Sequence, residues 1–129
     1  MSSESLHESA EKLSPATIDR HRATVSLMEE LEAIDWYDQR IDAATDEALK
    51  EVLRHNRDEE KEHAAMVLEW LRRQDPVLDE QLRTYLFKDG DITAAEAEAE
   101  GKGAEVSDVG GSGDGSLGIG DLRGEEMAP

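Results

Sequence analysis

The sequence predicts an all-α protein: an antiparallel two-helix hairpin followed by a short third helix. Three observations carry this expectation. Apolar residues recur at helical spacing over two long stretches. Helix start and stop signals fall between those stretches. Charged residues make up 36% of the 129 and aromatics only 4%, which leaves too little apolar material for a large one-chain core. Two helices cannot cover their own apolar stripes. A second hairpin is therefore expected, giving a four-helix bundle on dimerisation.

Residues 1–14 are polar and read as a flexible N-terminus. Ser14-Pro15 is an N-cap followed by proline at the first helical position. The first helix is expected from there to Asp42, with Leu27, Leu31, Ile34 and Ile41 on one face. Ala43 to Asp46 reads as a turn, with Thr45 or Asp46 as the next cap. The second helix should run to about Arg73, presenting Leu49, Leu53, Val67 and Leu71. Asp75-Pro76 starts a third, ending before Gly90. Thr93 and Glu96 have capping-box spacing, so a brief helix is expected over 94–100. Residues 15–100 are thus the helical domain. Residues 101–116 hold six glycines among small and acidic residues, a flexible linker by composition. Residues 117–129 form the tail, opening on the apolar island Leu117, Ile119, Leu122. Such an island beyond an acidic linker is expected to bind something.

The formal charge is -18. This disfavours nucleic acid and anionic membrane as partners and favours cations. With no cysteine, disulfides and thiolate metal sites are excluded. The N-terminus has no apolar leader core, and no run approaches the ~20 apolar residues of a membrane span. The expected location is cytoplasmic.

Three ionisable groups interrupt the apolar stripes. With Leu27 at zero on a helical wheel, Ile41 falls about 40° to one side, Glu30 about 60° and Tyr37 about 80°. With Leu53 at zero on the second helix, Glu60 falls about 20° and His63 about 80° to one side. Glu60 and His63 are three apart and adjoin on one face. His55 and Glu62 point away. An unpartnered buried carboxylate costs several kcal/mol, so a divalent metal is the natural common partner. Two carboxylates and an imidazole suit iron, manganese or zinc. The competing readings are a buried Glu–His hydrogen bond and a Glu30 that faces solvent. His7, His21 and His55 read as surface residues. Met28, Met66, Leu68 and Trp70 read as packing. Arg20, Arg22, Arg54, Arg57, Arg72 and Arg73 read as solvated helix-face pairs.

A di-iron centre in a helical bundle takes one Glu from each of two helices and a Glu-x-x-His pair from each of two others. This chain carries half of that set. The missing half-site and the missing core point to the same remedy, a second copy. Carboxylates hold both ferrous and ferric iron, and two adjacent irons can supply dioxygen with two electrons.

Residues 28–40 (MEELEAIDWYDQR), 56–66 (NRDEEKEHAAM), 68–73 (LEWLRR) and 83–87 (RTYLF) resemble the signature segments of encapsulated ferritins. The resemblance covers about residues 15–100 and implies a ferritin-like bundle oxidising Fe(II) to Fe(III) with dioxygen. It implies Glu30, Glu60 and His63 as di-iron ligands, with Tyr37 alongside. It implies Glu29, Glu32 and Trp36 as an accessory outer metal site. It implies a ring of dimers, a decamer, without a storage cavity of its own. Residues 117–123 (LGIGDLR) resemble an encapsulin cargo-loading peptide, with Leu117, Ile119, Leu122 and Arg123 at the matching positions. Asp121 departs from the small residue usual there. The expected location is then inside an encapsulin nanocompartment, whose shell holds the mineral. The alternative, from another functional class, is a metal-stabilised helical cargo or adaptor protein without turnover. A manganese or peroxide-detoxifying bundle is a third reading.

Overall fold

The structure is a computed structural model that describes residues 5–108. All regular structure among the described residues is helical. A 3-10 turn over Ala10–Lys12 lies in the segment expected to be loose. Helix α1 spans Pro15–Ala43. Its start follows from Ser14, which sits in extended backbone and accepts the Thr17 N–H on its hydroxyl at 3.1 Å. Pro15 fixes the first helical φ and lacks the N–H that would otherwise be orphaned there. Helix α2 spans Glu47–Gln74. Of the two candidate caps, Asp46 is the one used. Its carboxylate accepts the Leu49 N–H at 2.8 Å. Asp75 is extended, as the residue before a proline should be.

The two long helices pack as a hairpin in a unit that ends at Pro76. Only Ile41 and Ala64 are buried among the described residues. Leu27, Ile34, Leu53, Val67 and Leu71 are half-buried. Leu31 and Leu49, expected in the stripes, are 54% and 48% exposed. Met28, Met66 and Trp70, expected as packing, are also exposed. The reason is geometric: one hairpin has two faces, and each helix can cover only the strip of its neighbour that it touches.

Arg57 was expected in a pair on its own helix face. Instead its guanidinium also crosses the hairpin to Asp38 of α1 at 2.9 Å. Hydrogen bonds to Asp38 and Asp58 raise its pKa. Other pairs stay local, such as Arg22–Asp19 at 2.7 Å. Glu69 accepts from both Arg72 and Arg73, and those bonds pull its pKa from 4.5 to about 2. A depressed carboxylate stabilises the fold above its unfolded pKa and loses that contribution as pH falls through the folded value. Glu69→Gln is therefore expected to lower thermal stability slightly at pH 7 and to make no difference near pH 2. Melting curves of both proteins across pH 2–7 check this. The effect is small, because exposed pairs contribute under about 1 kcal/mol.

The second unit begins at Val77. Helix α3, Pro76–Tyr85, opens on its proline and is closed by Phe87 in the left-handed region, φ 59°. Phe87 is fully exposed, and a bulky residue in that backbone conformation is unusual. Gly90, φ 94°, adopts a backbone only glycine enters freely. Helix α4 spans Ile92–Asp108, longer than the expected 94–100. Its Ala/Glu run is strongly helix-forming and carries the helix through Gly101 and Gly103, each costing about 1 kcal/mol against alanine. The cap also differs. Asp91, not Thr93, accepts the Thr93 N–H at 3.3 Å, and a carboxylate there also faces the positive end of the helix dipole. No helix among the described residues is long and apolar enough to cross a membrane.

Candidate metal centre

Glu30 lies near the middle of α1, and Glu60 and His63 lie one turn apart near the middle of α2. Because the helices run antiparallel, the three meet at one level of the hairpin. Each offers a ligand atom, and these atoms all lie within 4.8 Å of one another. All three side chains are half-buried. They form the only group of three or more His, Asp or Glu with metal-holding geometry among the described residues.

Two details separate this cluster from an ordinary polar patch. Glu30 Oε1 is shut off from solvent and has no hydrogen-bond partner. Such an atom costs about 1–3 kcal/mol unless something else satisfies it. Glu60 Oε1 stands 3.6 Å from His63 Nδ1, too far for a hydrogen bond. The competing Glu–His hydrogen bond is therefore not formed. Two carboxylates and one imidazole, with Glu30 Oε1 buried and unpartnered, match the donor preferences of a divalent first-row metal.

Tyr37 is half-buried two turns beyond Glu30, about 10 Å along the helix by its rise. It stands outside the three-residue cluster. Glu29, Glu32 and Trp36 are exposed and are likewise not brought together with it. Sequence reasoning passed over Arg40. Its guanidinium lies 5.5 Å from the Tyr37 ring centroid and 6.0 Å from that of Trp36, within cation–π range of both. The signal was a cation three and four residues after two aromatics, where helix side chains meet. His55 is exposed and stands 3.7 Å from Glu59. His7 is exposed, whereas His21 is half-buried. Leu117, Ile119, Leu122 and Arg123 lie outside the described residues, as do 109–116 of the linker segment.

A helical hairpin with one inward glutamate on one helix and a Glu-x-x-His pair on the other has the pattern of the ferritin-like class of helical proteins. Within that class, the chain belongs to the EncFtn-like family, whose model matches residues 5–89. It is 61% identical over 128 residues to an encapsulated ferritin-like protein of Rhodospirillum rubrum, covering 96% of this chain and 91% of that one. It is 54% identical over 95 residues to a ferritin-like protein of Thermotoga maritima, covering 74% and 83%. Among solved structures it resembles the crystal structure of a protein from Nitrosomonas europaea, with a TM-score of 0.66 and 56% identity, over 67% of this chain and 96% of that one.

Proposed function

We propose that the protein is a ferroxidase whose di-iron centre is built by two copies of the chain. The observation that carries this reading is the buried, unpartnered Glu30 Oε1 beside Glu60 and His63. It is a ligand set with three protein donors, and a twofold-related copy doubles it to the six residues of a di-iron bundle site. Iron is the substrate. Each ferrous ion gives up one electron, and dioxygen takes two electrons and two protons to leave as hydrogen peroxide. Glu30, Glu60 and His63 hold the ions and let both oxidation states sit on the same donors. Tyr37 flanks the centre.

The ferric product feeds mineral storage in an encapsulin nanocompartment in the cytoplasm, reached through the peptide at residues 117–129. The relatives named for encapsulation support this part of the reading. The functional form is a ring of such dimers, a decamer, with the N-terminal segment 1–14 before the helices and the linker beginning after α4 ends at Asp108. Purified oligomer mixed with ferrous iron in air should develop ferric absorbance well above a protein-free control. Tight iron binding with no oxidation above the control would favour the cargo or adaptor reading instead.

Glu29, Glu32 and Trp36 form an accessory outer site in this account. They lie across α1 from Glu30 and cannot reach the same ion. Glu32→Ala is therefore expected to change the steady-state rate by less than about tenfold, since removing an indirect partner costs 10–100-fold only where it orients a ligand. Complete loss of oxidation would contradict an accessory role.

A further inference from the structure

The hairpin that carries Glu30, Glu60 and His63 has a thin core. Ile41 and Ala64 alone are buried among the described residues. Apolar contact is non-directional, so it sets the spacing of two helices better than their slide along one another. The cluster demands more. Its ligand atoms come from both helices, and such a set works only when held to within about 0.5 Å of its productive geometry.

A polar contact of defined direction crosses the same hairpin. Arg57 Nη1 of α2 donates to Asp38 Oδ1 of α1 at 2.9 Å, and Arg57 Nε donates to Asp58 Oδ1 at 3.1 Å. Two acceptors on two nitrogens of a planar guanidinium restrict its rotation. The Arg57 side chain is 23% exposed, so it is largely shielded from water. Arg22–Asp19, Arg73–Glu69 and Arg83–Asp79 instead join residues three or four apart on one helix and do not act between helices.

The contact lies close to the cluster. Arg57 is three residues before Glu60, about 4.5 Å along α2, and Asp38 is eight residues after Glu30, about 12 Å along α1. On the wheels, Asp38 falls about 20° to one side of Leu27 and Arg57 about 40° to the same side of Leu53. Glu30, Glu60 and His63 fall to the other side. In an antiparallel pair the same sense on both wheels is the same flank. The Arg57–Asp38 bond therefore closes the flank of the seam opposite the metal ligands, where it can set the slide of the helices without competing for the ion. Its contribution to folding is small, as for any partly exposed pair. Its consequence is geometric.

We propose that Arg57 and Asp38 are positioning residues of the metal centre: their bond fixes the slide of α1 on α2, and with it the distance from Glu30 to Glu60 and His63. This rests on the three-ligand centre proposed above and adds the contact that keeps it in register.

The test uses the full-length protein with two probes: cobalt(II), whose visible absorption reports the ligand geometry around the ion, and ferrous iron in air. The part of the cobalt spectrum that Glu60→Ala abolishes belongs to the centre. Asp38→Ala and Arg57→Ala should each bind cobalt there about tenfold more weakly, with an altered spectrum, and oxidise iron about tenfold more slowly, the lower end of what loss of a ligand-orienting contact costs. All measurements are made well below the melting range of the least stable variant. The double variant should lose no more than either single. Asp58→Ala removes only the local bond of Arg57 and should stay close to the wild type. Arg57→Lys keeps the charge but not the fork. It should show the same loss in smaller degree, and it serves where an alanine variant does not fold. Wild-type cobalt affinity and spectrum in Asp38→Ala and Arg57→Ala, whatever their melting temperatures, would overturn the positioning role. So would additive losses in the double variant, or an equal loss in Asp58→Ala. A wild type that takes cobalt at the centre without oxidising iron ends the ferroxidase reading, while the cobalt measurements still decide the role of Arg57 and Asp38. A wild type with no cobalt signal dependent on Glu60 overturns both.

Discussion

Glu60→Ala, His63→Ala and Glu30→Ala are each expected to lower ferrous-iron oxidation by about 100-fold or more while leaving helicity close to wild type. Loss of residues that only orient ligands typically costs 10–100-fold, and these three are assigned as the ligands themselves. In a twofold site each substitution also removes two donors at once, one from each copy. Helicity should survive because none of the three closes a helix cap or fills the buried contact at Ile41 and Ala64. In the metal-free protein, Glu30→Ala also deletes the unsatisfied Oε1. The apo form should be no less stable, and stabler by about 1 kcal/mol where that penalty is fully recovered. Glu62→Ala and His55→Ala are the controls. Both residues lie off the cluster, and both variants should oxidise iron at close to the wild-type rate. Equal losses in controls and ligands would remove the assignment. Stopped-flow absorbance at the ferric band, with circular dichroism on the same samples, reads both quantities.

Deleting residues 109–129 is expected to leave iron oxidation nearly unchanged and to abolish loading into the encapsulin shell. The cut falls after the last residue of α4, Asp108, so all described helices are retained. The lost segment carries Leu117, Ile119, Leu122 and Arg123. Three apolar side chains on a short peptide give a weak contact, but many copies on one oligomer raise the effective concentration at a shell interior. Co-expression with the shell protein, shell purification and quantification of this chain inside give the answer. Truncated protein loaded at wild-type levels would refute targeting by the tail. Asp121→Ser refines the test. If the carboxylate hinders docking, the serine variant should load better, most clearly at low salt.

The hairpin was legible in the sequence because its boundaries are set by local chemistry. Ser14-Pro15, Asp46 and Asp75-Pro76 each act on the backbone within a few residues. The placement of Glu30, Glu60 and His63 on facing stripes was legible because helical periodicity is regular over such lengths. Longer-range or competing effects were missed. Arg57 reaches Asp38 across the hairpin, nineteen positions away in sequence, and a single-helix wheel cannot show that. The wheel marks Leu31 and Leu49 as apolar-face residues but cannot tell which are covered by the neighbouring helix. The fourth helix runs past the expected end because the alanine and glutamate around Gly101 outweigh the glycine. Its cap is Asp91 and not the expected Thr93, because Asp91, two residues earlier, offers a charged acceptor.

The central claim is that one chain holds half a metal centre and a second copy completes it. Sedimentation of the full-length protein with and without ferrous iron, under anaerobic conditions and with iron counted per sedimenting species, tests it most directly. The account predicts that iron shifts the population from monomer to dimer or larger, since a ligand that binds one association state stabilises that state. It further predicts two bound irons per pair of chains at the centre, both lost in Glu60→Ala. A folded monomer that binds iron at full stoichiometry, with no change in association state, would contradict it.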